Sequence, residues 1–403
     1  MILSTVTIGS LAWLAPPAAE PVPDLLALRV GRAETISQGT IENAVILIDG
    51  GQIVIVGEDL PIERGIPIID LPDAVVMPGF VNCRSRLGLD SRAGTVSDPE
   101  VRVSDEIYPR TSDWTDVLEY GVTTIGLYPP GRGIAGLAAA IRPKGDSVDE
   151  LLLADDCYLT MYIGADRSAK KLVRDAFEEV DKYMEKVEKA REKWQKDQDK
   201  KKKDDEKEAF EPPVPEPEVL PMLKLRTQEL RAQFSISKAA DYLHLLDVLE
   251  SEADVLYDIQ IDLRDDLDLF YISDQLGEAH TRVICDPEII DHPGTRRARN
   301  LPAELHAAGA KVAFIPRSDS VTGNRDWLED VAHMVAYGLD RQVALRAMTL
   351  EPAEALNVGA LVGSIEAGKA ANLLIFDGDP FEAQTELTAV MLEGEIVHGE
   401  LDQ

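Results

Sequence analysis

The sequence predicts a mixed α/β fold in which parallel strands are joined by crossover helices, while both ends of the chain contribute to a β-rich unit. Three observations carry this. Short β-rich runs (VTTIGLYP, LTMYIG, AQFSIS, VLYDIQI, TRVICDP and KVAFIP) alternate with amphipathic stretches such as SDWTDVLEYG and LPAELHAAGA, the order expected of a parallel sheet with helices packed on it. Near the start, VILID and QIVIVG flank the tight-turn signal Asp49-Gly50-Gly51, which reads as a hairpin. Near the end, NLLIFDGDP and AVMLEGEIVHG show the same texture around Asp-Gly-Asp-Pro and Glu-Gly turns, so the two ends could form one sheet. Periodicity alone does not separate a closed barrel from an open doubly wound sheet.

The chain has 403 residues, 45% of them hydrophobic, enough for one large α/β body and a smaller second one. Its 73 acidic against 41 basic residues give a formal charge of -32, which repels a phosphate backbone and argues against a nucleic-acid partner. Cys83, Cys157 and Cys285 lie far apart with no CxxC or CxxH spacing, so neither a disulfide framework nor a thiolate zinc site is signalled. The N-terminal MILSTVTIGSLAWLAPPAA resembles a signal peptide, although no Lys or Arg precedes its apolar run. Residues 1–20 are therefore expected to be a signal peptide and the protein exported or periplasmic, with a cytoplasmic location as the alternative. The apolar run is too short to span a membrane stably.

One segment stands apart. Residues 166–211 hold 15 acids and 15 bases, so the net acidity belongs to the rest of the chain. Within it Val173, Phe177, Val180, Met184, Val187 and Trp194 fall on steps of four, three and seven, a single narrow apolar seam on one helix. The run QKDQDKKKKDDEKE and the Pro-rich EPPVPEPEV end it. The expectation is a helical hairpin arm inserted at 166–217, with dimerisation through the seam as the second reading.

Residues 75–90 read VVMPGFVNCRSRLGLD, after a β-rich stretch and at the opening of the α/β region. This block resembles the amidohydrolase superfamily, and so do Asp319 in IPRSDS, the run YGLDRQVALRAMTLEPAEALNV, and VGSIEAGKAANLLIFDGDP with VMLEGEIVHG after it. The likeness is to its imidazolonepropionase-like group, members of which hydrolyse carbon–nitrogen bonds other than peptide bonds. It implies a (β/α)8 TIM-like barrel over 79–361, carrying the charged insertion, and a composite β-sandwich from 21–78 and 362–403. It also implies an active site at the C-terminal strand ends. There the superfamily holds divalent metal with a His-x-His pair on the first strand, further histidines on later strands and an Asp on the last, which also serves as a base. Alternate strand residues point the same way, so two imidazoles two apart clasp one ion, and the ion acidifies a bound water.

Mapped onto this chain, the His-x-His positions are Arg84 and Arg86. A guanidinium is charged at every accessible pH and has no lone pair to offer a cation. The strand expected to bring the next histidine reads QFSISKAAD, with Ser235 or Ser237 near its end, and the one after it reads YDIQIDLRDD; neither has a histidine. Asp319 alone survives from the ligand set. The sequence thus points to a catalytically inactive, metal-free homologue that binds a ligand or serves as a scaffold. Arg84, Arg86 and Asp319 would form an ion-paired plug, or leave one arginine for a small anionic ligand such as a carboxylate. The alternative is an active hydrolase of carbon–nitrogen bonds that uses Asp319 as a catalytic residue with one divalent metal such as zinc. A homo-oligomer is a further expectation taken from the resemblance. Asp90, Asp105 and Glu106 are other acids that could meet the arginines. Ser318 and Ser320 flank Asp319 without a GxSxG elbow, and Cys83 has no histidine near it in sequence to activate it.

Overall fold

The structure, a computed structural model, describes residues 25–90, 97–164, 166–200, 209–261, 268–279, 281–291 and 295–401. The expected signal peptide at 1–20 lies outside them, as do His280 and His292. No helix among the described residues is long and apolar enough to cross a membrane.

Both chain ends enter one seven-stranded sheet. Strand Leu25–Glu34 pairs antiparallel with Thr40–Asp49 and parallel with Ile68–Pro78. Strand Leu373–Phe376 then adds antiparallel to the far edge of Ile68–Pro78 and is followed outward by Leu387–Leu392 and Glu395–Gly399. The hairpin to Gln52–Glu58 turns through Gly50 and Gly51, both at positive φ (53° and 79°), the backbone that a two-residue turn between twisted strands requires. A Cβ on Gly51 would also stand 2.6 Å from the carbonyl oxygen of Glu393, so this turn doubles as the seat of the last hairpin. Leu28, Val30, Ile46, Ile53, Val76, Leu373 and Met391 form the sheet's own apolar cluster.

The expected parallel strands with crossover helices are present. Strands Leu159–Tyr162, Ala232–Ile236, Tyr257–Ile261, Arg282–Cys285 and Lys311–Phe314 run parallel and in register, with Ala239–Leu249, Ser273–Glu278 and Leu301–Ala308 among the helices between them. A second sheet starts with the parallel pair Phe80–Ser85 and Val122–Leu127. The sequence did not reveal the antiparallel strands Ile134–Leu137, Ala139–Ile141 and Leu152–Ala154 that flank these ladders; their short, small-residue runs carry almost no alternation. Helix starts follow local chemistry: Ser320 caps Val321–Ala336 by accepting from the Gly323 N–H at 3.1 Å, and Asn300 caps Leu301–Ala308 through Ala303 at 3.0 Å.

Two ionic clusters lock the layers. Glu34, 1% exposed, faces Arg32 and Arg341 at 3.3 and 3.0 Å, and Asp379 meets the same two arginines at 3.0 and 2.8 Å. This joins the seven-stranded sheet to helix Arg341–Met348. At the N-terminal ends of the parallel strands, Arg282 is buried between Asp258 at 3.2 Å, Glu351 at 3.0 Å and Glu354 at 2.5 Å. Arg346 adds a contact to Glu351 at 2.7 Å, and Arg231 one to Asp258 at 2.9 Å. Burial works against the Glu351 carboxylate, but Arg282 and Arg346 outweigh it and hold its pKa below the ordinary glutamate value.

The charged segment forms helix Arg167–Lys200. Its seam divides in two. Val173, Phe177 and Val180 are buried, with the Arg226 guanidinium 5.4 Å from the Phe177 ring centroid. Farther out, residues 209–219 run back beside the helix: the Tyr183 hydroxyl donates to the Pro213 carbonyl at 2.9 Å, and the Trp194 and Phe210 rings meet edge to face at 5.8 Å.

Candidate functional site

Strand Phe80–Ser85 is buried along its whole length and delivers Arg84, and Arg86 just beyond it, to the C-terminal side of the parallel strands. Arg84 is 8% exposed. Its Nη1 donates to Gln233 Oε1 at 2.5 Å, and its Nη2 donates to Ser235 Oγ at 3.1 Å and Tyr162 Oη at 3.2 Å. The guanidinium lies over the Tyr128 ring, 4.0 Å from its centroid. Tyr162 ends its strand, Ser235 is next to last in Ala232–Ile236, and Tyr128 follows Val122–Leu127. Three strand ends therefore converge on one cation.

All of these partners are neutral. Among the described residues no carboxylate lies within ion-pair distance of Arg84. Burial opposes its charge, yet the oxygens of Tyr128, Tyr162 and Tyr158 outweigh it and hold the guanidinium pKa above its ordinary value. Burial in turn pushes the phenols of Tyr128 and Tyr158 upward, with Arg84 as the main opposing influence. Both phenols therefore stay protonated; that of Tyr158 donates to the Cys83 carbonyl at 3.2 Å.

Arg86 is half-buried; its Nη1 donates to the Tyr128 carbonyl at 2.9 Å, and its guanidinium lies 5.8 Å from the same ring centroid. Asp319 is exposed, in the loop between strand Lys311–Phe314 and helix Val321–Ala336. Its Oδ1 accepts from Ser85 Oγ and its Oδ2 from the main-chain N–H of Arg86, each at 2.5 Å. The expected bidentate pair between Asp319 and an arginine is not formed. Two neutral donors at the end of strand Phe80–Ser85 take its oxygens, while Arg84 is drawn to Gln233 and Ser235 on strand Ala232–Ile236.

The remaining candidates are placed as follows. Ser235 joins the site. Ser318 and Ser320 bond each other at 2.9 Å, and Ser320 is spent as a helix cap. Asp90 is exposed, and Asp105 lies near Arg102. The Cys83 thiol is pushed up to about 12, chiefly by burial, which keeps it protonated and unreactive. Sequence reasoning missed Tyr128, Tyr162 and Gln233; the first two close strand-like runs on the side where a parallel α/β fold gathers its functional groups, and that was the available signal.

A divalent ion does not suit this donor set. Arg84 and Arg86 can only donate, Gln233 Oε1 and Ser235 Oγ are engaged by Arg84, and both Asp319 oxygens are held. Among the described residues no group of three or more His, Cys, Asp or Glu is arranged to hold a metal. His244, His306 and His333 lie on helices and His398 on strand Glu395–Gly399.

Residues 240–399 match the model of the amidohydrolase family. The fold resembles an amidohydrolase from Thermotoga maritima with a TM-score of 0.75 and 22% identity, covering 93% of this chain and all of that one. A Xaa-Pro dipeptidase with bound methionine in its active site aligns with a TM-score of 0.52 and 15% identity over 92% of this chain and 99% of its own. An adenine deaminase of Rubrobacter xylanophilus is 35% identical over 82 residues, which span 20% of this chain and only 13% of that protein. The family match over 240–399 and a fold shared along nearly its whole length with an amidohydrolase make the chain similar to the amidohydrolases, in sequence over that segment and in fold throughout.

Proposed function

We propose that this protein is a metal-free member of the superfamily that binds a small anionic molecule at the C-terminal strand ends without hydrolysing it. One observation carries the reading: Arg84, at the position that the resemblance assigns to the first metal-binding imidazole, is a buried cation whose described partners are all neutral. Burying a charge without a counter-charge is costly unless hydrogen bonds or a bound ion offset it, so an incoming anion finds a prepared site.

The proposal includes a (β/α)8 barrel with the seven-stranded sheet as its composite domain. Two contacts support closure of the barrel: Arg84 reaches Gln233 across the interior, and Asp319, beyond the last parallel strand, bonds Ser85 on the first. The competing reading, a carbon–nitrogen hydrolase with Asp319 as base beside one metal, has less support because strand-end donors already hold both carboxylate oxygens.

Elemental analysis of purified protein, run beside assays on amide, cyclic-amide and amidine substrates, tests the proposal. Metal below stoichiometric amounts and no hydrolysis are expected. Stoichiometric zinc, iron or manganese accompanied by turnover would overturn it.

A further inference from the structure

Resting on that reading, we infer that the ligand of Arg84 is a singly charged carboxylate, not a phosphate. Tyr162 Oη and Ser235 Oγ each accept from the guanidinium, so each has its own hydrogen left to donate. Gln233 Oε1 also accepts from Arg84, and its Nε2, buried in a residue 1% exposed, has no hydrogen-bond partner. Directly beside it in the strand register stands Thr160, whose buried Oγ1 is likewise unpartnered. Around the guanidinium, then, the polar hydrogens outnumber the acceptors. Such a site selects a group that only accepts, which a carboxylate is and a carboxylic acid, an alcohol or an amide is not.

Shape and charge narrow the class. Three of the five guanidinium N–H groups serve Gln233, Ser235 and Tyr162, and the Tyr128 ring covers one face. The Nε–H and one Nη1–H remain, so a ligand oxygen approaches in the plane of the guanidinium. Asp319 is fixed on the same rim by Ser85 and the Arg86 N–H and lies near enough to Tyr128 to push its phenol upward. A second negative charge on the ligand would face that carboxylate, and the chain as a whole carries -32, so a dianion is disfavoured against a monoanion.

The test uses the full chain, titrated with acetate, benzoate and inorganic phosphate by calorimetry. Arginine side-chain 15N resonances are followed in the same titrations, and metal content is measured on the same sample. Saturable carboxylate binding with a moving Arg84 Nε resonance is expected, with phosphate about tenfold weaker or more. Arg84→Lys, which keeps the charge and loses the planar fork, should weaken carboxylate binding by about tenfold, and Ser235→Ala should weaken it by a smaller factor. Tighter phosphate binding, a still Arg84 resonance in the unaltered protein, or equal affinity in both variants would overturn the inference. Metal-free protein that ignores carboxylates sinks the ligand class alone, whereas stoichiometric metal sinks the proposed function itself.

Discussion

The Ser85 hydroxyl donates to Oδ1 of Asp319 at 2.5 Å while the neighbouring Arg86 N–H donates to Oδ2. The acid that the sequence offers as a catalytic base thus acts as a clip between the end of one strand and the loop preceding helix Val321–Ala336. Asp319→Ala should lower stability by about 1–3 kcal/mol through the two orphaned donors, with Ser85→Ala causing part of that loss. Denaturant melts of both single variants and the double variant check this. Additive losses would show that the two residues are not coupled.

The Arg282 cluster makes a larger claim. Arg282→Met leaves Asp258 and Glu351 buried without their cation, and a loss of about 3–5 kcal/mol is expected. Urea unfolding of that variant beside Arg325→Met, whose exposed pair with Asp326 contributes little, supplies the contrast.

The same cluster sets an acid limit. The folded-state pKa of Glu351 is depressed below its ordinary value of 4.5, so its contribution to stability is present above that value and is lost as pH falls through the folded pKa. Stability should decline on acidification below about 4.5, and Glu351→Gln, less stable at neutral pH, should show a shallower decline. Parallel slopes for the two proteins would refute the assignment.

Chelation should change nothing. Dialysis against a strong chelator is expected to leave the melting temperature within about 1 °C, because the metal-free reading proposed above leaves no metal-linked stabilisation to remove. A drop that added zinc reverses would contradict the donor set around Arg84.

The arm is expected to be stable at its base and indifferent at its edge. Val173→Ala should lose about 1–3 kcal/mol because its side chain is fully buried. Met184→Ala, at a residue 48% exposed, should stay within about 0.5 kcal/mol. Thermal melts of the two variants decide it.

What the sequence disclosed tracks how local the cause is. The parallel strands showed as short apolar runs, the union of the chain ends as two similar hairpin textures, and the position of Arg84 through the PGFVN block that ends two residues before it. Ionic contacts were harder to foresee. Asp319 was recognised, but its partners were misjudged, because whether a guanidinium or a main-chain N–H reaches a carboxylate depends on side-chain paths across the interior. Tyr128 and Tyr162 went unnoticed for a related reason: each is an ordinary strand-end aromatic until four separate strands bring it beside Arg84. The apolar seam of the long helix was visible at its full length, but its division between the body and the returning 209–219 segment depends on a contact that periodicity does not encode.

The seven-stranded sheet also constrains the order of assembly. Among the described residues, the outer edge of strand Ile68–Pro78 is paired by Leu373–Phe376 alone, about 300 residues later in the chain. On a ribosome that edge emerges long before its mate and stays open to pairing with other nascent chains. Fragments that stop short of residue 373 should therefore be markedly more aggregation-prone than the full chain.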